Sequence, residues 1–112
     1  MLNPEPGALA PDPAPVFAAL GDRTRLSLLM RLSDGRTRSI AKLSADTALT
    51  RQAITKHLHV LEDVGLVSSV RIGRESRFAF RPEPIADLRS YLDTVSAQWD
   101  DALSRLRALV ER

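Results

Sequence analysis

Eight apolar residues near the end of the chain, Ile85, Leu88, Leu92, Val95, Trp99, Ala102, Leu106 and Leu109, are spaced 3, 4, 3, 4, 3, 4 and 3 apart. An a/d seam held through 25 residues predicts one long helix, over residues 85–110, that needs a partner helix. At 1.5 Å per residue the seam runs about 37 Å, longer than a chain of 112 residues needs to cover its own core. A monomer packing this helix wholly on itself is the plainer reading. The rest of the sequence, however, offers few other large apolar faces to receive it.

Upstream of that helix the charge is uneven. Met1–Leu20 carries −2, Gly21–Pro82 holds twelve Arg or Lys against six Asp or Glu, and Glu83–Arg112 holds four against six. A basic block between mildly acidic ends fits a surface for a polyanion. The chain has no cysteine, which excludes disulfides, thiolate metal sites and a thiol nucleophile, and suits the cytoplasm. No stretch approaches the roughly 18 apolar residues that span a bilayer, so no membrane association is expected. The opening "MLNPEPGALAPDPAP" has five prolines in fifteen residues and reads as a flexible arm over 1–14, with one folded domain over 15–112.

Within that domain Pro15 fits the first turn of a helix through "VFAAL". Asp22 is placed to cap "RTRLSLLMRLSDG", with Asp34-Gly35 as the stop. Leu26, Leu29 and Met30, flanked by Leu28 and Leu32, are expected to centre the core. Ser39 can cap a short helix, "IAKLSADT", with Ile40 and Leu43 inward, and Thr50 can cap the next. After Gly65, "LVSSVRI" and "SRFAF" alternate with period two around a "GRES" turn and predict a hairpin: Val70 and Ile72 on one side, Ser69 and Arg71 on the other, then Phe78 and Phe80 against Arg77.

The helix beginning at Thr50 has two unlike faces. At 100° per residue Ile54, Leu58 and Leu61 form an apolar stripe with His57 at its edge. Thr50, Arg51, Gln52, Thr55, Lys56 and His59 occupy the other side. Hydroxyls, an amide and cations near a helix N-terminus suit base edges and phosphates. A short helix, tight turn and longer helix is the unit that enters a major groove, and Arg71, Arg74 and Arg77 on the hairpin can grip the flanking backbone or minor groove. The fold expected is mainly α with a small β-hairpin, a winged helix-turn-helix, and its partner is double-stranded DNA.

In this order and spacing the motifs also resemble the ArsR/SmtB family of bacterial winged-helix repressors. "FAALGDRTRLSLLMRL" is similar to that family's "ALADPTRLRIL" opening, "LTRQAITKHLHVLEDVGLV" to its recognition signature and "RIGRESRFAF" to its wing, the match running from Val16 to the end. The resemblance implies a homodimer paired through the first and last helices, placing Val16, Phe17, Leu20, Leu88, Leu92, Val95, Trp99 and Leu106 at the interface. It also implies an inverted-repeat operator in the chain's own promoter region and repression of transcription. By position Thr50, Arg51, Gln52, Thr55 and Lys56 then face the groove, with Ser39, His59 and the three wing arginines completing the DNA-facing set.

The family's metal sensors use cysteines or Asp and His along the last helix, and this chain has no cysteine and no histidine there. His57 and His59 point some 200° apart and cannot chelate one ion, so no metal or other cofactor is expected and any inducer is undetermined. His57 reads best as a boundary residue hydrogen-bonded between helices. Asp93 and Asp100 read as a solvated face. No glycine-rich phosphate loop, G-x-S-x-G or H-E-x-x-H is present, so an enzyme is not expected. The rival reading is a winged helix that holds a protein partner, which leaves the cations on helix and hairpin without a purpose.

Overall fold

The computed structural model describes residues 12–111; the Pro-rich arm as far as residue 11 lies outside the described residues. The elements run α1 (Ala14–Leu20), α2 (Arg23–Leu32), β1 (Arg38–Ser39), α3 (Ile40–Ala45), α4 (Arg51–Asp63), β2 (Val67–Ile72), β3 (Glu75–Phe80) and α5 (Glu83–Glu111).

Three side-chain caps start three helices as their residue types dictate. Asp22 Oδ2 accepts from the Arg25 amide at 3.0 Å, Ser39 Oγ from the Lys42 amide at 3.1 Å and Thr50 Oγ1 from the Ala53 amide at 3.1 Å. α4 is closed just past its C-cap Val64 by Gly65, whose φ of 80° lets the Leu66 amide reach back to the Leu61 carbonyl at 2.9 Å and its own amide to Glu62 at 3.0 Å. The chain is thereby aimed straight into β2.

The core lies where α2, α3 and α4 meet the base of the sheet: Leu28, Leu29, Leu32, Leu43, Ile54, Leu58, Leu61, Leu66, Val67 and Phe78 are buried there, with Val16, Leu20, Ile40 and Ile85 packed against them. The α2 face differs from expectation. Leu28 and Leu32, read as flanking, are central, while Leu26 and Met30 face outward, Met30 at 68 % exposure. In a helix this rich in leucine, periodicity leaves the inward face open, and the neighbours decide it.

The sheet also has more than a hairpin. β1 pairs antiparallel with β3, Arg38 opposite Phe78 and Ser39 opposite Arg77, giving the order β1-β3-β2 in three strands. The β2–β3 hairpin closes on Gly73-Arg74, with Ile72 opposite Glu75 and φ of 64° at Gly73 alone, the pattern of a two-residue II′ turn. Its alternation is as read, but Val70 and Ile72 lie on the face opposite Phe78 and are exposed, because it is the Val67, Phe78 and Phe80 face of the hairpin that packs on the core.

Candidate nucleic-acid interface

α4 is fixed from behind and open in front. Ile54, Leu58 and Leu61 are 0 % exposed, whereas Arg51, Gln52, Lys56 and His59 on the other face are exposed and Thr55 is half-buried. Two hydroxyls read as groove-facing already have partners: Thr50 Oγ1 is the helix cap, and Thr55 donates to the Arg51 carbonyl at 2.7 Å. Thr50 keeps its O–H donor and one lone pair, and Thr55 keeps two acceptor lone pairs. The first turn of α4 contains no acidic residue, so its positive dipole end stands uncompensated beside Arg51.

The preceding helix is held at a set angle. Arg31, on α2, donates to the Leu43 carbonyl at 2.8 Å, the Lys42 carbonyl at 3.4 Å and the Asp46 carboxylate at 2.9 Å, closing the C-terminal end of α3. The hairpin is tied in as well: Ser69 donates to Glu62 at the end of α4 at 2.9 Å, and Arg81 to Ser68 at 2.8 Å.

The wing arginines divide. Arg71 and Arg74 are exposed, Arg74 at the tip of the turn. Arg77 is drawn inward: one of its nitrogens donates to the Thr37 carbonyl at 3.3 Å, another lies 3.9 Å from Glu75, and its Nε is buried without a partner. Ser39, as a helix cap paired with Arg77 across the strands, sits beside it. Arg77 and Ser39, together with Arg38 and Glu75 and with Arg36 and Lys42, which the sequence reading passed over, bound an open groove of about 410 Å³ between α3 and the wing. Only the β1–β3 pairing brings Arg36 and Lys42 to the wing, and a strand of two residues leaves no periodic signal.

Across the molecule, α1 and α5 form a second, apolar surface. Phe17, Leu20, Ile85, Leu88 and Leu92 line a trough of about 490 Å³. Phe17 meets Tyr91 edge-on with ring centroids 6.0 Å apart. The predicted seam divides along its length: Leu88 is 5 % exposed and belongs to its own domain's core, Val95 and Ala102 are half-buried, and Leu92, Trp99, Leu106 and Leu109 stand in the open beside Leu103 and Val110. Val16 and Leu20 pack against the core from the same side.

Among the described residues no group of three or more His, Asp or Glu side chains is placed to hold a metal ion, and no helix is long and apolar enough to cross a membrane. The described side chains thus form a bihelical unit with a polar, cationic front, a basic-tipped hairpin beside it and an apolar back. Those features define a winged helix-turn-helix DNA-binding domain. Residues 20–70 match the family model described as a helix-turn-helix domain. The chain is 43 % identical over 79 residues to the HTH-type transcriptional regulator YuzN of Bacillus subtilis, spanning 65 % of this chain and 86 % of that one. Its backbone is similar to the ArsR-like transcriptional regulator from Rhodococcus sp. RHA1, with a TM-score of 0.76, 37 % identity and coverage of 87 % and 91 % of the two chains. It is also similar to the homodimeric winged helix-turn-helix DNA-binding domain Mb0332 of Mycobacterium bovis, with a TM-score of 0.60, 25 % identity and coverage of 80 % and 82 %. The chain belongs to the ArsR family of winged helix-turn-helix transcriptional regulators, which are DNA-binding proteins rather than enzymes.

Proposed function

We propose that the chain acts in the cytoplasm as a homodimeric repressor of transcription that binds an inverted-repeat operator upstream of its own gene. The observation that carries this is α4 itself, anchored by a stripe with 0 % exposure while Arg51, Gln52, Lys56 and His59 stand free on the opposite face. Arg51 and Gln52 read base edges in the major groove. Lys56, His59 and Arg71 contact phosphates, and Arg74 reaches the flanking backbone or minor groove. Thr50, Thr55 and Ser39 contribute through what their capping bonds leave free, and Arg36 and Lys42 extend the row of cations toward the wing.

Pairing follows from the open half of α5. Among the described residues Leu92, Trp99 and Leu106 stand exposed, and burying them against a second copy alongside Val16, Phe17 and Leu20 removes that apolar surface from water. The similar Mycobacterium bovis domain, described as homodimeric, supports pairing. A two-fold pair sets its recognition helices about 34 Å apart, one turn of duplex.

The test is binding to the DNA upstream of the coding region across a salt series. The expected log–log slope is about −0.9 per phosphate contacted. Arg51→Ala or Gln52→Ala should relax sequence preference by about 1–3 kcal/mol per lost base contact, whereas Arg74→Ala should weaken all sequences alike. No shift at low salt would favour a protein-holding module, and identical behaviour of both kinds of variant on upstream and random DNA would overturn the division of roles.

A further inference from the structure

One arginine joins the partner-facing helix to the DNA-facing one. Arg25 Nε donates to the Ala19 carbonyl at 2.8 Å and one terminal nitrogen to the Ala18 carbonyl at 3.3 Å, closing the C-terminal end of α1. Its other terminal nitrogen lies 3.4 Å from Nδ1 of His57 on α4. Asp22 accepts the Arg25 amide at 3.0 Å and stands 3.8 Å from that ring nitrogen. A guanidinium has donors only, so the contact with His57 requires Nδ1 as acceptor, which means a neutral ring with its proton on Nε2.

The two ends of this link are the two working surfaces. Ala18 and Ala19 sit on α1 between Phe17 and Leu20 of the apolar trough, and His57 follows Thr55 and Lys56 on the groove-facing helix. Apolar packing alone permits small rolls of one helix over another, since it is non-directional. A planar fork bonded at both ends fixes the angle, and a lysine has no such fork.

We propose that Arg25 is a positioning residue that sets the recognition helix against the partner-facing helix α1, using His57 as the acceptor by which it holds α4. The proposal rests on the DNA-binding reading above. It goes further in joining dimer geometry to helix placement through one side chain that itself touches no DNA. Protonating His57 removes the acceptor and sets a second cation beside the guanidinium. Asp22 and Arg25 are the charged groups that the described hydrogen bonds and ion pairs bring to the ring, and α1 carries no titratable side chain, so only Asp22 is placed to accept a hydrogen bond from the imidazolium. A protonated ring therefore cannot accept from Arg25. His59 works in the opposite sense, because its added charge attracts phosphate.

The experiment uses the full chain in a His59→Gln background, with the upstream DNA fragment at about pH 8 and about pH 6, the range in which imidazoles change charge. The reference protein is expected to bind more weakly at the lower pH. Arg25→Gln should bind about tenfold more weakly at the higher pH, with a flat pH profile and an unchanged sedimentation coefficient. Arg25→Lys should not restore binding. His57→Gln keeps an acceptor oxygen, so it should match the reference at the higher pH and lose the acid-induced drop. Without DNA, hydrogen exchange of the α4 amides should quicken in Arg25→Gln. A His57→Gln protein that keeps the full acid-induced drop, or an Arg25→Gln protein that binds and exchanges like the reference, would overturn the proposal. If Arg25→Gln does not fold, the His57→Gln profile decides. If the reference protein binds no DNA, the DNA reading fails, and the exchange comparison still decides the link between helices.

Discussion

Thr50 serves two purposes with different chemical demands. As a cap it needs only an oxygen for the Ala53 amide, whereas at a DNA surface it must tolerate phosphate. The two separate by substitution. Thr50→Ala should lower stability by about 1 kcal/mol in urea unfolding. Thr50→Asp should unfold at nearly the wild-type denaturant concentration, since a carboxylate caps well and suits the helix dipole, yet bind every DNA sequence more weakly. Binding by Thr50→Asp at wild-type strength would remove Thr50 from the interface. Caps of this kind are legible in a sequence because donor and acceptor lie three residues apart. The arginines are not: Arg31 finds its carbonyl 12 residues away, Arg25 its histidine 32 away and Arg77 its carbonyl 40 away. A long cationic side chain reads as a solvated charge until the fold supplies an acceptor, which is why Arg77 reads as a free wing cation and is in fact drawn inward.

Among the elements, legibility followed the strength of the periodic signal. α4 and α5 each carry one apolar stripe, and their extents and faces follow from it. α2 is apolar over most of its circumference, so Leu26 and Met30 emerged outward, and β1 is too short to show any period. The turn from α2 into β1 depends instead on charge. Asp34 accepts both terminal nitrogens of Arg38, at 3.0 and 2.8 Å, and the Arg36 amide at 3.0 Å, and these bonds hold its carboxyl far below the usual aspartate range. The Arg25 amide lowers Asp22 in the same way. Both carboxyls ionise more readily folded than unfolded, so their contribution is present above the unfolded value and is lost as pH falls through about 4 and below. Asp34→Asn should thus be less stable than wild type at about pH 7, with the gap beginning to narrow only as pH falls below about 4 in paired thermal melts. A gap independent of pH would assign Asp34 no electrostatic part in the turn.

As a whole, the molecule divides between a folded body and a long helix that outruns it. α5 has 29 residues, about 43 Å, and among the described residues it buries Leu88 alone, in its second turn. Folding of the body should therefore tolerate changes far along the helix that pairing does not. Leu106→Glu is expected to leave the secondary structure intact, sediment as a monomer at micromolar concentration and bind the upstream DNA about a hundredfold more weakly, because each half-site is then engaged alone. A dimeric Leu106→Glu protein would place the pairing surface elsewhere. Trp99, the single tryptophan, stands 64 % exposed on that same stretch. Indole fluorescence is sensitive to solvent, so the emission colour of the unlabelled protein becomes a built-in gauge of subunit exchange, readable by dilution alone.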